Sequence, residues 1–187
     1  MRIISGRHRG LTLASVGKGD AAAHLRPTTD RVRESIFNVL LNGGYGDPVT
    51  GARVLDLFAG TGALGLEALS RGAAHVTFVD DGATARALIR ENIARCQAQG
   101  VTKLWRRDAT RLGENRGPRF DLVFLDPPYG KGLGEGALSS ARTGGWIAPG
   151  AVVVWEDSAA PDVPEGFEIL DQRRYGDTVV SLLAFEG

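Results

Sequence analysis

A run of four apolar residues, Leu122-Val123-Phe124-Leu125, stops at an acid, two prolines and an aromatic ring, Asp126-Pro127-Pro128-Tyr129. Apolar character at every position, without alternation, marks a parallel strand covered on both faces. Proline fixes φ and removes a backbone donor, so Pro127 and Pro128 stiffen the turn and leave their carbonyls as acceptors. In an open α/β sheet, ligands bind just beyond the carboxyl ends of the strands, which is where Asp126 and Tyr129 fall. A carboxylate and a rigid carbonyl offer two acceptors to the two N–H donors of an exocyclic amine, and a neighbouring ring can stack on a planar base. The tetrapeptide therefore suits an amine clamp. Taken alone, it suits a plain strand-ending turn equally.

The rest of the chain supplies the partners such a strand needs. Val54-Leu55-Asp56-Leu57-Phe58 reads as a strand, residues 62–71 as a helix closed by Gly72, and Val76-Thr77-Phe78-Val79 as the next strand. A helix over roughly 83–98, a third strand at Lys103-Leu104-Trp105, the fourth at 120–125 and a fifth at 151–155 continue the alternation. Residues 166–175 and 178–185, around Gly176-Asp177, make a terminal antiparallel pair. Strands alternating with helices predict a doubly wound, mostly parallel α/β sheet with a C-terminal antiparallel hairpin. Ahead of it, Thr29 or Asp30 caps a helix with Val32, Ile36, Val39 and Leu40 on one face, and 42–48 is a loop and the one seam in the chain. Ile3-Ile4 and Leu11-Thr12-Leu13 flank Gly6-Arg7-His8-Arg9-Gly10 as a basic-tipped hairpin, followed by a small-residue loop over 14–24.

With 187 residues the chain is one domain with a small appendage. A single cysteine excludes an intramolecular disulfide, and Cys96 shares a helical face with Ala85, Ile89 and Ile93 as a core residue. No apolar run approaches membrane-spanning length and the first residues lack a signal-peptide core, so a cytoplasmic protein is expected. The net charge is zero but unevenly spread: residues 1–33 hold seven Lys/Arg against Asp20 and Asp30, so the remainder carries −5. A basic arm on an acidic body fits a polyanion held at one end, and equally fits a solvated terminus. His8 and His24 have no ligand partners at suitable spacing, and no metal is expected.

Gly60-Thr61-Gly62-Ala63-Leu64-Gly65 fits G-x-G-x-x-G after a strand and at the start of a helix, with Asp80 twenty residues on where a carboxylate would hold a ribose diol. That pattern by itself reads as dinucleotide binding. Asp56 argues otherwise, because a carboxylate four residues before the glycines would repel a pyrophosphate and suit a cationic amine, such as that of S-adenosylmethionine. Asp108, after the third strand, either accepts from an adenine amino group or caps the turn at Ala109; both readings stand.

At this point the residues resemble a known family. Val54 to Gly65 with Asp126-Pro127-Pro128-Tyr129 looks like a class I methyltransferase acting on exocyclic amines, with a Rossmann-like sheet. Met1-Arg2-Ile3-Ile4-Ser5-Gly6 and the segment from Arg26-Pro27-Thr28-Thr29-Asp30 through Asn38 resemble the bacterial family that methylates a guanine N2 in 16S ribosomal RNA. The resemblance implies a domain plan of a basic arm or hairpin over 1–25 and a methyltransferase domain over 26–187, with 26–42 a leading helix and 51–187 the core. It implies S-adenosylmethionine at Asp56, Gly60, Gly62, Asp80 and Asp108, and a target-amine clamp of Asp126, Pro127 and Tyr129. The family often has glutamate at the position of Asp80, and Asp81 follows directly here, so either acid is a candidate for the ribose. The implied partner is 16S ribosomal RNA in an assembled or assembling small subunit, with no membrane, and a monomer is the default expectation. Gly130–Gly136 is expected to form a mobile lid. The rivals are amino methylation of DNA adenine or protein glutamine, and a non-catalytic RNA-binding module of ribosome assembly.

Overall fold

The computed structural model describes residues 1–16 and 28–187, so His24, Arg26, Pro27 and most of the expected 14–24 loop lie outside the described residues. The elements are α1 (Asp30–Asn42), β1 (Arg53–Leu57), α2 (Ala63–Ser70), β2 (His75–Val79), α3 (Ala83–Arg95), β3 (Thr102–Trp105), β4 (Phe120–Leu125), α4 (Leu133–Thr143), β5 (Ile147–Asp157), β6 (Phe167–Tyr175) and β7 (Thr178–Phe185). Seven strands form one sheet in the order β3-β2-β1-β4-β5-β7-β6. The first five pair in parallel, and β7 runs antiparallel between β5 and β6. The fold expected from the alternation is the fold observed.

The sheet order reverses at β1 and β4, which puts the carboxyl ends of these neighbours at the switch point where such sheets bind ligands. Their apolar runs bury on both faces: Val54, Leu122 and Phe124 belong to one core cluster, Leu55, Leu57, Val123 and Leu125 to the other. α1 packs through Ile36, Phe37 and Leu40 into the first cluster, with Phe37 and Phe124 ring centroids 5.7 Å apart. The seam at 42–48 is likewise tied down, because the Tyr45 hydroxyl reaches Asp171 Oδ2 at 3.4 Å.

Residues 1–13 form the expected hairpin, closed by Ile3 N–H to the Leu11 carbonyl at 3.0 Å and Leu13 N–H to that of Met1 at 2.9 Å. It is docked against α2. Ile3 and Leu13 are buried, and Glu67 accepts from the N–H groups of Ile4 (2.8 Å) and Ser5 (3.2 Å). A Cβ on Gly6 would lie 2.0 Å from the Ser70 carbonyl oxygen, so only glycine allows this approach.

One element departs from the sequence reading. α4 occupies residues between β4 and β5 for which the sequence reading named no helix, and the expected lid is divided by it. Gly130 and Gly132 have φ of 75° and 65° and make a turn, whereas Gly134 and Gly136 sit in the first turn of α4. The reason is packing: a Cβ on Gly134 would lie 2.4 Å from the buried Trp155 ring, so the glycine that lowers helix propensity is what lets the helix close on the sheet.

Candidate functional site

The carboxyl ends of β1, β2 and β4 open onto a cavity of about 460 Å³. Its lining includes Asp56, Gly60, Asp80, Asp126, Pro127 and Tyr129, so the glycine loop and the clamp share one space. Gly62 lies at the base of the same loop and starts α2 at φ 81°, a backbone that side chains with a Cβ rarely adopt. Gly65 must approach the sheet closely, since an added Cβ would meet Phe78 at 2.6 Å.

Two acids hold the loop. Asp56 Oδ2 accepts from Gly65 N–H at 3.0 Å, and Asp80 accepts from Gly60 N–H (3.0 Å) and Gly82 N–H (2.9 Å). Burial raises the Asp56 carboxyl well above the usual range, the Gly65 bond opposes this, and the charges of Asp126 and Asp80 raise it further. Burial also raises Asp80, with the Gly60 and Gly82 bonds opposing. Asp81 lines the cavity too but is exposed, so of the two adjacent acids Asp80 is the one built into the loop. Asp108 stands apart. Its side chain caps a short helical turn, accepting from Thr110 N–H at 2.8 Å, and it lines a different depression.

Sequence reasoning missed several residues here. Phe58, at the end of β1, lines the cavity with φ 55°, a strained backbone worth about 1–3 kcal/mol for a bulky residue. Thr28 Oγ1 lies 3.3 Å from Asp126 Oδ2 and 3.3 Å from both Glu156 oxygens, bridging two carboxylates. Glu156 follows Trp155, which pairs with Leu125, so it stands beside Asp126 in the neighbouring strand. An acid ending the apolar run 151–155 was the available signal, the same one that marked Asp126. Tyr129 is set by its hydroxyl, which shares a 2.8 Å hydrogen bond with Thr178 Oγ1 on β7.

Thr28 is held from behind. The fully buried Arg33 donates to the Thr28 carbonyl (3.3 Å) and to that of Arg2, and pairs with Asp30 (2.7 Å) and the buried Glu67 (3.5 Å). Arg71 completes the cluster at 2.9 Å from Glu67.

Burial raises Glu156 from 4.5 to about 7, with the Thr28 hydroxyl opposing, the Asp56 charge adding and the Arg33 charge opposing. A carboxyl that keeps its proton to about 7 when folded, but releases it near 4.5 when unfolded, favours folding below that lower value and loses this contribution as pH rises to 7. The full gap is on the order of 3 kcal/mol. Between pH 5 and 8, urea denaturation should show the parent losing most of that amount relative to Glu156→Gln, which has no proton to release. Parallel stability curves would mean that Glu156 ionises as easily folded as unfolded.

The reversed sheet order, the glycine turn and the acid-ringed cavity beside the proline turn are those of a methyltransferase of Rossmann-like fold. The chain belongs to the family described as Conserved hypothetical protein 95, which matches residues 1–184. It is 36% identical over 186 residues to ribosomal RNA small subunit methyltransferase D of Escherichia coli (strain K12), covering 97% of this chain and 88% of that protein. The Haemophilus influenzae protein of the same name is 34% identical over 182 residues, covering 94% of this chain and 89% of its own. Among solved structures, the yhhF protein of Escherichia coli superposes with a TM-score of 0.82 at 34% identity, covering 100% of this chain and 98% of that one.

Proposed function

We propose that this protein methylates the exocyclic N2 of a guanine in 16S ribosomal RNA, using S-adenosylmethionine, in the cytoplasm and on an assembled or assembling small subunit. The observation that carries this reading is the single cavity in which the acid-held glycine loop meets the Asp126–Tyr129 turn. Names of the relatives support the RNA substrate.

The residues fit the donor. Asp56, whose carboxyl burial raises well above the usual range, would have its charged form favoured by a cationic amine. Gly60 lines the cavity and lets a ligand approach the backbone, Gly62 serves by its positive φ and its close fit against Phe78, and Asp80 is the acid placed to face a ribose diol. Asp108 is assigned to its turn, with any adenine contact left to the backbone beside it. When bound, the donor supplies a methyl group on a positively charged sulfur, so no further activation of the electrophile is needed.

The protein's own work is then to position and polarise the amine. Asp126 and the Pro127 carbonyl accept its two N–H bonds, which favours a pyramidal nitrogen with its lone pair directed at the methyl. Those bonds strengthen as the nitrogen gains positive charge, as transition-state stabilisation requires. The Thr28 hydroxyl stands between Glu156 and Asp126 Oδ2 and donates its one proton to either carboxylate, which steadies Asp126 beside the amine. Tyr129 presents its ring to a base turned out of the RNA.

The test is labelled methyl transfer into free 16S RNA and into small subunits from cells lacking the enzyme, followed by nucleoside analysis. Label on guanine N2 is expected, more of it in the particle. Label on adenine or on protein glutamine would replace this reading with a rival.

A further inference from the structure

The crossovers β1 to β2, β2 to β3 and β4 to β5 each carry a helix of eight residues or more, but β3 to β4 carries only the three-residue turn Ala109–Arg111. The sheet face around Arg53 and Thr77 is left as an open trough of about 810 Å³, which shares no lining residue with the cavity described above.

The trough is cationic in a chain of zero net charge. Five cations line it, Arg53, Lys103, Arg107, Arg111 and Arg116, against Asp108 and Glu114. Among the described residues, none of these five is in an ion pair. Two of the guanidiniums lie over aromatic rings: Arg107 is 4.6 Å from the Trp105 centroid and Arg53 is 5.1 Å from that of Phe120. Arg107 is braced further by donating to the Leu112 carbonyl, and Arg53 Nε is buried without a hydrogen-bond partner. Five cations outside any ion pair, four of them planar guanidiniums, along one open trough match the charge of a phosphate chain better than a single small anion, which would leave most of them unanswered.

We propose that this trough is a second RNA-binding surface, gripping ribose-phosphate backbone of the substrate at a distance from the reacting base. The inference rests on the reading of the substrate as RNA. It accounts for where a protein whose body is otherwise acidic finds its polyanion contacts beyond the amino-terminal hairpin.

The experiment uses the full-length Arg111→Glu/Arg116→Glu variant, with Arg111→Gln/Arg116→Gln as a milder second. Both positions are exposed, and calorimetric binding of S-adenosylhomocysteine checks that each variant is folded. KM for small subunits should rise at least about tenfold for the Glu variant. The logarithmic salt slope of particle binding should shallow by about 0.7 to 0.9 for each phosphate that is no longer neutralised. If the parent methylates the particle and the variants match it in KM and slope, the trough proposal is overturned and the function stands. A raised KM with an unchanged slope would assign the trough to a protein surface and also overturn it. If the parent transfers no methyl to guanine, the functional reading fails by itself, and the salt slope still decides whether the trough holds RNA.

Discussion

Asp126→Ala is expected to lower turnover by about a hundredfold or more, the effect of removing an acceptor whose bond forms fully only in the transition state. The variant leaves one amine hydrogen unmatched, and leaves Thr28 without one of its two carboxylate partners. Asp126→Asn keeps an acceptor oxygen in nearly the same place and should retain measurable turnover. Single-turnover methyl transfer at saturating donor reads this directly, and calorimetry with S-adenosylhomocysteine should find both variants close to the parent, because the role proposed for Asp126 is toward the base. An Asn variant as inactive as Ala, with donor binding intact, would show that the negative charge itself is required. The role of Asp126 would then move to charge stabilisation or proton removal at the nitrogen.

The second large effect is on stability. Arg33→Met should destabilise the protein by up to about 3–5 kcal/mol, because it takes one of two guanidiniums from the Glu67 carboxylate, which has 0% exposure and would keep Arg71 alone, and because it removes the donor to the Arg2 and Thr28 carbonyls. Glu67→Leu should cost a similar amount from the other side. The double variant should recover part of the loss, since neither Arg33 nor Glu67 is left facing the other's absence, while Arg71 and the Ile4 and Ser5 N–H groups still lack the acceptor that Glu67 supplied. Urea denaturation of the four proteins forms the cycle that checks this. Additive losses would mean that Arg33 and Glu67 do not act as a pair. The cluster also bears on activity: Arg33 holds the Thr28 carbonyl and the hairpin, so a folded Arg33 variant should lose turnover more than donor affinity.

Local patterns carried the expectations that held. Unbroken apolar runs announced β1 and β4, and the turn residues after them announced the ends that open onto the cavity. Those signals are local because a strand buried on both faces must be apolar throughout, and a turn at positive φ needs glycine. α4 was illegible for the opposite reason. Gly134 and Gly136 weaken its pattern, and only the Trp155 ring, brought against it by β5, explains why glycine belongs there. Asp108 shows a further limit, since one residue type at one spacing fits both a cap and a ligand contact, and the side chain's hydrogen bonds to Thr110 settle how it is used in the fold.

By itself the sequence determined the α/β class, the order of its strands, the glycine loop and the proline turn, because each depends on propensities and periodicities within a few residues. Tertiary structure alone decided what stands around Asp126. Thr28 is 98 positions away in the chain and Glu156 is held there by the pairing of β5 with β4, while Arg33 reaches across 34 positions to Glu67 and fixes the segment that carries Thr28. Burial and charge proximity are properties of that packing, not of any segment, and they are what raise Glu156 and Asp56 out of the ordinary carboxylate range.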